Sequence, residues 1–100
     1  MDRIQEKKAY ERDIELELKA YDEEIEELEK KAAKSEAQRE EDLSVQVEKL
    51  REKQREARHK LEEIKGSGGE AWVDLKKGFE RARKEMKTAF DQAVSKFKSR

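Results

Sequence analysis

Hydrophobic side chains in the first two thirds of the chain recur at alternating steps of three and four residues. This alternation is the heptad pattern of a helix whose apolar stripe packs against another helix. The first series contains Ile14, Leu18, Tyr21, Ile25, Leu28 and Ala32, and the second contains Leu43, Val47, Leu50, Gln54, Ala57, Leu61 and Ile64. The pattern predicts helix over most of residues 14–64.

The two series are out of register by one residue, and the stretch between them, residues 30–42, is mainly polar. A continuous helix absorbs such a shift by unwinding its supercoil locally. We favour one continuous charged helix over residues 1–65, because neither glycine nor proline interrupts it. The alternative is a break near residues 35–42, where Ser35 and Gln38 have the spacing of a capping box. With that break, the chain becomes a three-helix bundle.

A glycine-rich turn at residues 66–69 separates this arm from the rest of the chain. Its residues are Gly66, Ser67, Gly68 and Gly69, which include three of the four glycines in the protein. A left-handed conformation at Gly66 would end the first helix. Ser67 and Glu70 have the spacing of a second capping box, which would open the next helix. We therefore expect the chain to reverse direction here.

An amphipathic helix is predicted for residues 70–98, with aromatic and aliphatic residues on one side and basic residues on the other. Burial of each large apolar side chain contributes about 1.5–3 kcal/mol. The expected fold is a single all-α unit, an antiparallel coiled-coil hairpin of one long and one short helix. The residues expected in its core or interface are Leu18, Tyr21, Ile25, Leu28, Leu43, Val47, Leu50, Leu61, Ile64, Trp72, Leu75, Phe79, Met86, Phe90 and Phe97.

The unequal lengths of the two arms imply a partner. A second helix of about 28 residues covers only about the last 28 residues of the first arm, since both rise 1.5 Å per residue. The apolar seam of residues 1–37 would then be uncovered, and a second copy is the simplest cover. Residues 1–42 carry a net charge of -7 and residues 43–100 a net charge of +6. We therefore expect a homo-oligomer and favour an antiparallel dimer.

Composition restricts the class of protein further. Charged residues make up 51% of the chain and hydrophobic residues 33%, too few for a large globular core. The absence of proline and the spaced apolar residues favour long helices over disorder. Cysteine is absent, which excludes disulfides and cysteine metal sites. Neither a signal peptide nor an apolar run of about 20 residues is present, so we expect a cytoplasmic protein.

Candidate chemistry is sparse. Glu56 and His59 have the spacing used in di-metal carboxylate bundles, but the other glutamates that such a site requires are missing. We expect His59 to be a surface residue. The turn at residues 66–69 lacks the lysine and hydroxyl residue of a phosphate-binding loop, and no nucleophile has a base beside it. The sequence therefore predicts no enzyme activity, no metal and no cofactor.

Two segments resemble a known group of proteins. GEAWVDLKKG at residues 69–78 and MKTAF at residues 86–90 resemble the AW-x-x-LK-x-G and LK-x-AF ending of short, uncharacterised bacterial coiled-coil domain-containing proteins. Met86 stands where the group tends to have leucine, and Tyr21 where it commonly has tryptophan. The resemblance implies a helical hairpin and a homo-oligomer. It brings no activity and no site residues.

From these observations we expect a non-enzymatic coiled-coil structural or interaction protein that self-associates and serves as a scaffold, spacer or adaptor. The alternative is a peripheral membrane-surface or stress-associated protein. It would bind anionic lipid through the helix at residues 70–98, which is basic on one side and aromatic on the other. Nucleic acid is not an expected partner, because Glu80, Glu85 and Asp91 dilute the basic residues of this helix.

Overall fold

Two short turns divide the chain into three helices. Helix α1 spans Arg3–Ala33, helix α2 spans Ala37–Gly66 and helix α3 spans Ala71–Lys98. The structure, a computed structural model, describes residues 3–98, with the backbone alone at Arg3, Ala37 and Gln38. Successive helices are antiparallel, so α1 and α3 point in the same direction. The result is an all-helical three-helix bundle.

The continuous helix favoured over residues 1–65 is wrong, because residues 34–36 break it. The break falls in the polar stretch between the two heptad series. A continuous helix would leave the seam of α1 in water, whereas folding α1 back onto α2 and α3 buries that seam. Apolar burial therefore outweighs the helical hydrogen bonds lost at three residues, and the chain adopts the three-helix alternative.

Backbone geometry around Ser35 explains how α1 ends. The Ser35 N–H donates to the Ala32 carbonyl at 3.1 Å, and Ser35 Oγ donates to the Lys31 carbonyl at 3.1 Å. Glu36 then takes an extended conformation, with φ -60° and ψ 150°, and makes no side-chain cap bond. Ser35 therefore closes α1 and does not cap α2. The other member of the expected capping box, Gln38, lies outside the residues whose side chains are described.

The glycine-rich turn also differs in detail from the expectation. The Ser67 N–H and Oγ both donate to the Ile64 carbonyl, at 3.1 and 2.6 Å, so Ser67 closes α2 and does not cap α3. Gly66 is the last residue of α2. The left-handed conformation falls on Gly69, with φ 56°, and no other described residue has a positive φ. The left-handed residue is thus three positions later than expected, but the chain reverses between α2 and α3 at the glycine-rich turn, as the sequence predicts.

Apolar residues from all three helices form one core along the bundle, whose principal extents are 53 × 18 × 18 Å. Leu18 and Ile25 of α1, Leu50 of α2 and Phe79 of α3 have no exposed surface. The seam of α1, expected to project and to require a second copy, is thus covered within one chain. The seam of α1 therefore does not require a second copy to cover it, and the dimer itself stays a prediction.

Candidate functional site

A polar cluster joins α1 to α3 near the middle of the bundle. Arg83 of α3 donates from Nε and Nη2 to the two carboxylate oxygens of Glu17, each at 2.7 Å, and from Nη1 to Glu80 at 3.1 Å. The hydrogen bond to Glu17 raises the pKa of Arg83 above its ordinary value. Paired N–H groups on one carboxylate fix the relative position of two helices as well as stabilising them. The cluster therefore sets how α1 lies on α3.

Tyr10 extends this contact toward the glycine-rich turn. Its hydroxyl donates to Glu80, and its ring lies 6.0 Å from the rings of both Trp72 and Phe79. The Lys76 ammonium lies 4.8 Å from the Tyr10 ring centroid, a cation–π contact. Burial, followed by the hydrogen bond to Glu80, raises the pKa of Tyr10 above its usual value. Tyr10 thus connects the aromatic core to the Glu80 carboxylate.

The contact between α1 and α2 contains a buried polar residue, Gln54, at a seam position. Gln54 is 5% exposed, and its Nε2 donates to Asp22 of α1. Arg58 donates to the other oxygen of Asp22 at 3.3 Å, and Arg51 donates to Glu29 at 2.8 Å. A satisfied polar group on an apolar seam favours one register over others. Gln54 therefore specifies how α1 aligns with α2.

A cleft opens between α1 and α3 at the end of the bundle that contains the turn at residues 34–36. Its volume is about 480 Å³. The floor is apolar and includes Phe90, Val94 and Phe97, which are half-buried. We call it the terminal cleft, and its lining residues are Glu24, Glu27, Leu28, Lys31, Ser35, Arg39, Leu43, Phe90, Val94, Phe97 and Lys98.

Two contacts fix the shape of the terminal cleft. Arg39 of α2 donates from Nη2 to the carbonyls of Lys96 and Phe97, at 3.1 and 3.0 Å, and so caps the end of α3. The rings of Tyr21 and Phe90 lie 5.3 Å apart in an edge-to-face arrangement at the inner end of the cleft. A capped helix end and a packed aromatic pair make the cleft a formed feature of the fold.

Charge is segregated along the length of the terminal cleft. Glu24 and Glu27 lie toward the middle of the bundle, and Lys31, Arg39 and Lys98 lie toward its end. The ammonium groups of Lys31 and Lys98 form no ion pair with any residue between 3 and 98. An apolar floor with charged groups of opposite sign at its two ends suits a partner surface with the complementary order of charges.

Most of the residues expected in the core or interface are buried within the single chain. Those buried are Leu18, Ile25, Leu28, Leu43, Val47, Leu50, Leu61, Ile64, Trp72, Phe79 and Met86, and those half-buried are Tyr21, Leu75, Phe90 and Phe97. The structure brings Phe90 and Phe97 together in the terminal cleft. It places Gly66, Ser67, Gly68 and Gly69 at the opposite end of the bundle, away from the cleft.

The sequence did not predict the roles of three residues that hold the helices together, Tyr10, Arg39 and Arg83. Tyr10 lies four residues before Ile14 and so on the same side of the helix, but the alternation of steps would continue at Glu11, so the first heptad series does not include Tyr10. Arg39 lies where that series continues into the polar stretch, and a charged residue there hid its role as a cap for α3. Arg83 carries no pattern of its own in the sequence, because its role depends on a partner 66 residues away.

His59 is a surface residue in the structure. Its side chain is 77% exposed and lies 4.0 Å from Glu63. Over residues 3–98, no cluster of three or more histidine, aspartate or glutamate side chains has the arrangement of a metal site.

None of the three helices over residues 3–98 has the length and apolar character needed to span a lipid bilayer.

Comparison of the chain with protein-family models, with curated proteins and with solved structures found no match. The resemblance of residues 69–78 and 86–90 to short bacterial coiled-coil proteins therefore stays an expectation from the sequence.

Proposed function

We propose that this protein is a non-enzymatic interaction protein that self-associates through the terminal cleft and so serves as a scaffold or adaptor. One observation carries the proposal: the cleft has an apolar floor whose charged groups are segregated along its length. Phe90, Val94 and Phe97 are only half-buried there, so a partner surface would remove further apolar area from water.

The order of charges favours a second copy in the antiparallel direction. Glu24 and Lys31 lie seven residues apart on one face of α1, about 10 Å along the helix. In a two-fold pair of antiparallel clefts, the acidic end of one copy lies against the basic end of the other. A parallel pair would oppose like charges. The same antiparallel arrangement followed from the sequence, but on the seam of α1, which is buried within the chain.

The size of the cleft sets the expected strength of the dimer. Stable interfaces bury roughly 800 Å² on each partner, and smaller ones are weak and transient. Three half-buried apolar residues and a few charge pairs correspond to a small interface. We therefore expect a dissociation constant on the order of 10–100 μM, with the dimer weakened by salt.

Sedimentation equilibrium of charge-reversed variants tests this proposal. Variant A carries Lys31→Glu and Lys98→Glu, and variant B carries Glu24→Lys and Glu27→Lys. Each variant alone places like charges opposite each other and is expected to stay monomeric at 200 μM. An equimolar mixture of A and B restores both sets of opposite charges and is expected to dimerise.

A matched control reverses two cations outside the cleft, Lys8→Glu with Lys84→Glu, and is expected to dimerise like the unaltered protein. A monomer at all concentrations of the unaltered protein would contradict the proposal. A dimer that persists in A and B alone would also contradict it, by placing the interface elsewhere.

A further inference from the structure

The three helices differ in charge, and this gives the bundle a positive and a negative side. Helix α1 carries 7 basic and 11 acidic side chains, a net charge of -4. Helix α3 carries 8 basic and 4 acidic side chains, a net charge of +4, and α2 carries 8 of each. The surface formed by α2 and α3 on the side away from α1 is therefore the positive side of the molecule.

Basic residues concentrate along the groove between α2 and α3 on that side, which we call the basic face. Its lining contains seven cationic side chains but only three carboxylates, those of Glu52, Glu56 and Glu85. The cations are Lys49, Lys53, Arg55, Lys60, Arg81 and Lys84, together with Lys96.

Ion pairing within the protein leaves most of these cations without a carboxylate. Lys53 lies 3.1 Å from Glu85 and 3.8 Å from Glu56, so one lysine pairs with two of the three carboxylates of the face. Lys60 pairs with Glu63 at 3.5 Å. The remaining five cations of the basic face form no ion pair with any described residue. Like charges along one face repel each other and favour binding of an anionic surface.

The shape of the basic face distinguishes between classes of anionic partner. The lysine and arginine side chains on both rims of the groove are long enough to bring their charged ends to a common plane, and the distance from Arg81 to Lys96 along α3 is about 22 Å. A planar array of anionic headgroups can reach all of these cations at once, whereas the convex surface of a nucleic-acid duplex meets only some of them. Shape thus favours a lipid surface over a nucleic acid.

We propose that the folded bundle binds an anionic lipid bilayer through the basic face, with α1 turned away from the membrane. This inference is independent of self-association, because the terminal cleft lies between α1 and α3. It also differs from insertion of the helix at residues 70–98. Trp72 and Phe79 are 5% and 0% exposed, so the aromatic residues remain in the core while the basic side chains contact headgroups.

Vesicle co-sedimentation tests the inference with the full chain. We expect binding to vesicles of 30% phosphatidylserine in phosphatidylcholine at 20 mM NaCl, no binding to pure phosphatidylcholine, and at least a fivefold weaker association at 200 mM NaCl. A triple variant, Arg81→Gln with Lys84→Gln and Lys96→Gln, is expected to bind at least fivefold more weakly at low salt.

The matched control changes the net charge equally on the other side, with Lys8→Gln, Lys19→Gln and Lys34→Gln. We expect less than a twofold effect, and circular dichroism should report equal helicity for both variants. Equal losses in the two triple variants, or no binding at low salt, would overturn the inference. Quenching of Trp72 fluorescence by brominated acyl chains would indicate insertion instead, and tighter binding to a DNA duplex at the same salt would make the face a nucleic-acid surface.

Discussion

Arg83 of α3 and Glu17 of α1 form two parallel hydrogen bonds, Nε to Oε2 and Nη2 to Oε1, both 2.7 Å long. Their side chains are 40% and 29% exposed, so the pair lies at the edge of the α1–α3 contact and not in its core. The planar guanidinium matches the carboxylate in geometry as well as in charge. The pair therefore joins α3 to α1, although the sequence predicts that residues 1–37 project and that the helix at residues 70–98 packs only on the end of the first arm.

Replacing Arg83 should weaken the docking of α1. We expect Arg83→Gln to lower the free energy of unfolding by about 1 kcal/mol, a value reduced for partial exposure. Arg83→Lys should lose most of the same amount, because lysine keeps the charge but not the paired geometry. Urea unfolding measures both. A double-mutant cycle with Glu17→Gln should give a coupling free energy of about 0.5–1 kcal/mol.

The control for this prediction is Lys87→Gln, which removes an exposed pair with Asp91 on α3. We expect it to change stability by less than about 0.5 kcal/mol. Equal effects of Lys87→Gln and Arg83→Gln would show that the contact with Glu17 contributes nothing beyond ordinary surface charge.

Tyr10 makes the bundle less stable as the pH rises into the alkaline range. Burial and the hydrogen bond to Glu80 raise the pKa of Tyr10 in the folded protein above its usual value of 10.0. The folded state therefore holds the phenolic proton more tightly than the unfolded state. The resulting stability is complete below pH 10 and is lost as the pH rises above 10.

We expect the unaltered protein to lose more stability between pH 9.5 and 11 than Tyr10→Phe, by on the order of 0.5 kcal/mol after allowance for partial exposure. Urea unfolding at the two pH values measures this difference, and lysine titration is common to both proteins. Tyr21→Phe is the comparison, because burial raises the pKa of Tyr21 without a hydrogen bond to a carboxylate. A larger pH dependence in Tyr10→Phe than in the unaltered protein would contradict the assignment.

The heptad pattern of residues 14–64 and the amphipathic pattern of residues 70–98 are sufficient to predict an all-helical protein and the apolar residues of each helix. Leu18, Leu50 and Phe79 were identified by their spacing, because burial in a helix requires an apolar stripe. The pattern was not sufficient to show which stripe faces which. The seam of α1 has the same form whether it packs against a second copy or against its own chain, and only the break at residues 34–36 distinguishes the two.

The terminal cleft could not be predicted from the sequence for a related reason. The walls of the cleft come from three helices. Its lysines and glutamates look like ordinary surface residues in the sequence, because they line a cleft only when Arg39 holds the end of α3 against α2. The capping-box spacing at Ser35 and Ser67 marked real helix ends but assigned each serine to the wrong helix. A hydroxyl at such a position can bond backward or forward, and spacing alone does not decide between the two.

Gly69 is the glycine that the second turn requires. At φ 56° an alanine would incur a steric cost, and we expect Gly69→Ala to lower the free energy of unfolding by about 1 kcal/mol. Gly66 ends α2 in a helical conformation, and no atom lies within 4 Å of a β-carbon added there. Gly66→Ala should therefore raise stability by about 0.5 kcal/mol. Thermal unfolding of the two variants should give melting temperatures displaced in opposite directions.

Glu36→Pro distinguishes the broken helix from a continuous one. The φ of Glu36 is -60°, a value that proline adopts without strain. In the three-helix bundle we expect stability to be unchanged or raised by about 0.5 kcal/mol, because proline restricts the unfolded chain. In a continuous helix the same change would cost about 3 kcal/mol. Urea unfolding measures the change in the free energy of unfolding. A decrease of about 3 kcal/mol would contradict the turn at residues 34–36.

The return of α1 to the side of α3 is the central feature of this fold, and one distance tests it. The protein has no cysteine, so Lys8→Cys with Lys77→Cys allows two spin labels at exposed positions. Each lies two residues before a partner in the Tyr10–Phe79 contact. Dilution with unlabelled protein leaves only the distance within one chain. In a bundle 18 Å wide, electron–electron double resonance should give about 20 Å. A distance of about 80 Å, the separation along a continuous helix, would contradict the fold.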